Sequence, residues 1–165
     1  MSLEAFLKLD GVDGESAKDG HVGEIDINSV SWGTSHVSTQ STGTGHSSGK
    51  ADFSDFHIMK VADKSSPKLM LRCCDGKTIG TGKITFRKIA GDSKIDFLTY
   101  DLTNVMVTSW QQSGTDSGGD QVAESVSFAA TKVVVTYLPQ KADGSADAKQ
   151  QAGWDHGVNK AAAGA

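Results

Sequence analysis

Residues 121–138, QVAESVSFAATKVVVTYL, decide the fold. They read as a single strand of eighteen residues, about 60 Å long at about 3.3 Å per residue, where an ordinary strand has about five or six residues. The run also changes sides. Val122, Val126, Phe128 and Ala130 share one face and Gln121, Ser125, Ser127 and Thr131 the other, but beyond Lys132 the apolar positions are Val133, Val135 and Tyr137. A strand too long for one sheet, with a switch of buried face, fits a closed or cornered β architecture or a sheet shared between subunits, commonly with a bulge at the corner. It points to a building block rather than a catalyst.

The same change of face occurs earlier. In residues 22–37, Ile25 and Ile27 keep one register while Val30 and Trp32 keep the other, which predicts a bulge near Asn28 or Ser29. Further strands are read at LEAFLKLD (3–10), ADFSDFHIMKVA (51–62), TIGTGKITFRKIA (78–90) and KIDFLTYDLTNVMVTSW (94–110). One stretch is helical, SSPKLMLRCCDGK (65–77). It has Ser66 at the N-cap, Pro67 at the first helical position, Leu69 with Cys73 and Met70 with Cys74 four residues apart, and Gly76 past the end. Residues 36–50, 113–120 and the tail after Leu138 read as long mobile loops by their Ser, Gly, Ala and Asp content. The fold class is all-β with one short α-helix near 66–75, in a single domain over 1–165.

Composition narrows the function. At 165 residues and 17.3 kDa the chain supports one domain, which buries roughly two-thirds of the surface of its unfolded chain. With 16 basic and 20 acidic residues the net charge is −4, so no basic footprint for nucleic acid exists. Glu4 and Lys8 interrupt the apolar residues of MSLEAFLKL, and no later run reaches membrane-span length, so neither a signal peptide nor membrane binding is expected and the chain is expected to begin in the cytosol. Cys73 and Cys74 are adjacent, a geometry that strains a disulfide, and no further soft ligands sit at zinc spacing. Both are expected as thiols.

Sequence motifs for chemistry fail one by one. TGTGHSSGK (42–50) resembles a phosphate loop, but Thr44 stands where glycine is required, Ala51 follows Lys50, and the next residues alternate like a strand. The histidines His21, His36, His46, His57 and His156 are ten or more residues apart with no metal-binding spacing. No serine sits in a nucleophile elbow. Asp52 and Asp55, three apart on a strand, point to opposite faces. Trp32, Trp110 and Trp154 lack interleaved Arg and Lys and read as buried or interface anchors. No cofactor and no catalytic residue is expected.

FLKLDGVDGES (6–16), EIDINSVSWG (24–33), DFHIMKVADKSSPKLMLRCCDGK (55–77), VVVTYLPQKADG (133–144) and AGWDHGVNK (152–160), in this order, resemble the haemolysin-coregulated protein (Hcp) family, the tube subunit of bacterial type VI secretion. The resemblance implies a compact β-barrel of two packed antiparallel sheets with one short helix. It implies six-membered rings that stack into a tube inside a contractile sheath, with a spike protein at the tip and small effector proteins in the channel. The subunit would then occur in the cytoplasm and, after sheath contraction, outside the cell, and would not be an enzyme. Ser29 and Ser31 alternate with Val30 and Trp32, so the serines are expected to face the lumen and the bulky residues to be buried. The segment Ser41, Thr42, Gly43, Thr44, Gly45, His46, Ser47 and Ser48 is expected at the seam between stacked rings. Two other classes stay open: a monomeric β-barrel with an apolar ligand cavity, and a secreted hydrolase built from acidic residues brought together by folding.

Overall fold

A computed structural model describes residues 2–39, 47–116 and 119–162. In chain order the elements are β1 (Ser2–Leu9), β2 (Ile25–Ile27), β3 (Ser29–Ser31), β4 (Thr34–Thr39), β5 (Ser47–Phe53) and β6 (Phe56–Val61). Then follow α1 (Ser66–Asp75), β7 (Ile79–Ala90), β8 (Ser93–Ser113), β9 (Ala123–Tyr137), β10 (Gln150–Asp155) and β11 (Lys160–Ala161).

The deciding run is β9, and it has two sets of neighbours. One edge lies along β8 throughout, from Ala123 opposite Ser113 to Tyr137 opposite Leu98. On the other edge residues 123–128 pair with β6 and residues 132–137 pair with β10. Where the outer partner changes, the buried face changes too: Val126 and Phe128 enter the core from one parity and Val133 from the other. β8 reverses at the same level, with Leu102 on one parity and Val105 and Val107 on the other. Between them Asn104 has φ 51, a left-handed conformation that asparagine tolerates better than most residues and that turns the following side chains to the opposite side. It stands across from Thr131, between the pairs Thr103 with Lys132 and Val105 with Ala130. The bulge itself comes three residues later, in the register shift between Val107 and Ser109.

The predicted irregularity near Asn28 is a break between two strands. β2 pairs with β1, β3 pairs with β6, and the Asn28 N–H donates to the Met59 carbonyl at 2.7 Å. The nine-stranded antiparallel sheet runs β11-β10-β9-β8-β7-β1-β2, with β6 on β9 and β3 on β6. Two of its three ends, β2 and β3, therefore meet in one continuous piece of chain, 25–31, so the sheet is curled on itself. The two packed layers implied by the sequence are the two halves of this curl. Between them lie Leu7, Ile25 and Ile84 from one half and Ile58, Val126 and Phe128 from the other. At one end Trp32 stacks on Phe56 at 4.8 Å, and Phe56 stacks on Phe128 at 5.4 Å.

Two stretches read as loops contain strands. Thr34–Thr39 and Ser47–Phe53 form a separate two-stranded sheet, with Thr34 opposite Phe53 and His36 opposite Ala51. Their Ser, Thr and Gly content carries no apolar alternation, so the pairing rests on main-chain hydrogen bonds. In the tail, β10 adds to β9 and carries β11 on its other edge. Gly153 is required there, because the Ala162 and Val133 carbonyls crowd the space a Cβ would fill.

Helix α1 begins one residue earlier than the sequence implied. Ser65, not Ser66, is the N-cap, Pro67 lies in the first turn, and Gly76 at φ 64 donates its N–H to the Arg72 carbonyl. Ser66 instead turns inward to a buried polar cluster. Lys60 and Glu124, paired across β6 and β9 on the core face, are 1% and 0% exposed. The Lys60 ammonium donates to Glu124 Oε1 at 3.2 Å, Asp63 Oδ1 at 3.0 Å and Ser66 Oγ at 3.3 Å, while Gln112 Nε2 donates to Glu124 Oε2 at 2.9 Å. Ser65 donates to the same Asp63 Oδ1 through its N–H and hydroxyl.

The cluster ties the helix entry to the end of the sheet. Removing one partner strands a charge in a dry site, so Glu124→Ala is expected to destabilise the fold by about 3–5 kcal/mol in denaturant unfolding. The double change Lys60→Met with Glu124→Leu removes both charges and is expected to recover most of that loss. A single variant within about 0.5 kcal/mol of the unaltered chain, as for an ordinary surface change, would show that the pair is not structurally engaged.

Candidate functional site: a serine-rich sheet face

The register of β3, β6, β9 and β8 places their outward side chains in rows. Ser29, Met59, Ser125 and Gln111 stand side by side in one row; Ser31, His57, Ser127 and Ser109 form the next. The intervening residues Val30, Ile58, Val126 and Trp110 point the other way and pack in the core. One side of the wall is thus bulky and apolar and the other small and hydroxylic. Period-two alternation on four adjacent strands produces both from the same residues.

Ser29 and Ser31 are exposed on the outward face, and Val30 and Trp32 lie against the core. The alternation read from the sequence is the one observed. Exposed beside the serines are His57, Met59, Ser109 and Gln111. Ser127 is nearly covered, and its hydroxyl is 2.6 Å from His57 Nδ1. Asp55, two residues before His57, accepts from the Thr108 hydroxyl at 2.7 Å. Reading the sequence strand by strand missed His57, Met59, Ser109, Gln111 and Ser127 as members of this surface, because only the cross-strand register brings them to it. The alternation within FHIMKV and SVSF was the available signal.

Of the segment expected at a ring seam, Ser41 to His46 lie outside the described residues. Ser47 and Ser48 begin β5, opposite Thr39 and Ser38. Gly49 and Lys50 belong to the same strand, which is the wrong backbone for cradling a phosphate.

The arrangement does not assemble a catalytic site. His57 meets Ser127, but among the described residues no carboxylate hydrogen-bonds its ring, so the orienting acid of a triad is lacking. His156 lies 3.9 Å from Asp52, on the separate hairpin. Among the described residues no group of three His, Cys, Asp or Glu side chains is placed to hold a metal ion. Cys73 packs against the core and Cys74 is exposed beside Met70 Sδ at 3.7 Å, both as free thiols. The interior is filled by Phe56, Phe128 and aliphatic side chains, where a ligand-binding barrel would leave an apolar cavity. No helix among the described residues is long and apolar enough to cross a membrane.

Comparison with known proteins agrees with this geometry. A family described as "Type VI secretion system effector, Hcp" matches residues 6–137. Protein hcp1 of Pseudomonas aeruginosa is 36% identical over 147 residues, which cover 89% of this chain and 90% of that protein. A solved "type six secretion system protein" superposes with TM-score 0.90 at 35% identity, covering 98% of this chain and all of the other. Hcp1 from Salmonella typhimurium superposes with TM-score 0.80 at 30% identity, again over 98% of this chain and all of its own. With most of its length matched in sequence and in fold, the chain belongs to the Hcp family, a family of structural, secreted proteins of the type VI secretion system and not of enzymes.

Proposed function

We propose that this chain is a tube subunit: copies close into a six-membered ring, rings stack into a tube, and contraction of a surrounding sheath drives the tube and its spike out of the cell. The serine-rich face lines the lumen and holds small effector proteins during passage. The subunit is made in the cytoplasm and leaves through the secretion apparatus.

The observation that carries this reading is the two-faced wall. A face of Ser29, Ser31, Ser109, Ser125 and Gln111 backed by a packed core offers hydrogen bonds without a deep apolar pocket, which suits cargo that must be retained and then released. The edges support it as well. The β4–β5 hairpin and the short β11 leave strand edges available for pairing, and a head-to-tail interface that closes into a ring protects such edges from open-ended association.

Native mass spectrometry of the purified chain is expected to give six subunits; a stable monomer would favour the ligand-binding barrel. Ser31→Gln places a longer side chain on the lumen face and is expected to weaken cargo retention while leaving the ring mass unchanged. Loss of the ring itself would show that Ser31 faces a neighbouring subunit. Deleting Ser41–Ser48 is expected to leave single rings but impair tube growth, and tubes of ordinary length in electron micrographs would refute the seam assignment.

A further inference from the structure

Where β3, β6, β9 and β8 share the serine-rich face, the large apolar side chains that stay exposed are both methionines. Met59 on β6 is 44% exposed and Met106 on β8 is 42% exposed. Met59 stands in the row of Ser29, Ser125 and Gln111. Met106 lies opposite Ala129, which shares the outward parity of Ser125 and Ser127 on β9. Each methionine borders a hollow. Met59 and Gln111 rise on either side of Ser125 and, with the short side chains of Ser113 and Ala123, border one of about 650 Å³. Past the margin of the serine rows, beyond the Thr108 bond to Asp55 and the contact of His57 with Ser127, lies the second. It is about 470 Å³ and is bordered by Met106, Phe53, Ala129, Thr131 and His156.

The two floors belong to one strand. Ala123 and Ser125 underlie the first hollow and Ala129 and Thr131 the second, six residues further along β9, which is about 20 Å at about 3.3 Å per residue. Glu124, beneath the first hollow, turns its carboxylate to the core, where Lys60 and Gln112 hold it. A charged group entering that hollow therefore loses water and meets no opposite charge. An apolar group meets an unbranched thioether with three rotatable bonds, which reshapes itself around many partners. Serine hydroxyls and a glutamine amide beside it offer hydrogen bonds to the main chain of any sequence.

We propose that the two hollows are paired grip points for one passenger polypeptide, each taking an apolar side chain of about leucine size, some 20 Å apart. The proposal rests on the reading of the serine-rich face as a cargo wall and names what that wall selects. One hollow alone holds weakly. When a single chain spans both, the second contact forms at the effective concentration set by the intervening residues, so retention depends on the spacing of apolar side chains rather than on a particular sequence.

The test uses two synthetic Ser/Gly peptides of identical composition, each with two leucines, six residues apart in one and two residues apart in the other. They are titrated into the full chain carrying carbon-13 methionine methyls, with the exposed Met70 on α1 as internal control. The widely spaced peptide is expected to bind about tenfold tighter, as burial of a second leucine allows. It is expected to shift the Met59 and Met106 methyls together and leave Met70 in place. Met59→Ser and Met106→Ser are each expected to remove the advantage, and Met59→Leu to keep it. Near-UV circular dichroism reports whether the variants fold; if one does not, the methyl shifts of the unaltered chain decide. Both hollows lie within one subunit, so the titration does not require a ring, and the native mass of the same sample separates loss of the ring from loss of the grip. Equal binding of the two peptides, binding by neither, a Met70 shift as large as that of Met59, or an advantage that survives Met59→Ser would each overturn the pairing.

Discussion

The architecture depends on strands that exchange partner and buried face at the same point. If β9 kept one parity throughout, the half that pairs with β10 would turn Val134 and Thr136 towards the core and Val133 and Val135 outward. Asn104, in its left-handed conformation across from Thr131, rotates the pair together, so the core stays continuous on both sides of the corner. Asn28 performs the same service between β2 and β3. At Asn104 the short polar side chain of asparagine tolerates the left-handed backbone better than a β-branched residue would.

Curling one sheet on itself brings its ends together, and that raises the question of what fixes the ends. At one end the fixing is electrostatic. Lys60 and Glu124 occupy core-facing positions where Phe56, Ile58, Val126 and Phe128 continue the pattern with apolar side chains. A buried pair of this kind adds little net stability compared with a well-packed apolar substitute, but it tolerates only one arrangement of its partners. Asp63 from the connection before α1, Ser66 from α1 and Gln112 from β8 supply that arrangement. The pair thus sets where the helix starts relative to β6, β8 and β9.

Much of the fold was legible in the sequence because alternation is a strong signal wherever one face is buried. The long strand, its switch of side, the irregularity at Asn28 and the short helix with Pro67 and Gly76 were all readable from residue order. The pairing of β4 with β5 and the strand at 150–155 were not. Their residues carry no apolar period, and their strand character comes from hydrogen bonding to neighbours that local sequence does not name. The site was half legible for the same reason. Ser29 and Ser31 reveal their face through Val30 and Trp32, whereas the membership of His57, Ser109 and Ser127 follows from inter-strand register alone. Lys60 and Glu124 went unremarked because a charge in an alternating run usually marks the solvent side.

One requirement falls on the β3–β6–β9–β8 sheet: both of its surfaces must be specified over a large area. Alternation meets it with no additional structure, since each strand contributes a core residue and an outward residue in turn. On the outward side the residues are small and largely uncharged, with Asp55 and His57 as the titratable groups at its margin. Side chains of this size leave the shape of the face to the backbone, which four hydrogen-bonded strands hold rigid. A sheet whose shape is set by its ladder and whose chemistry is mild can meet many different surfaces without remodelling itself for any of them. Larger side chains interrupt this face in a few places, and Met59, between Ser29 and Ser125, is an adaptable one.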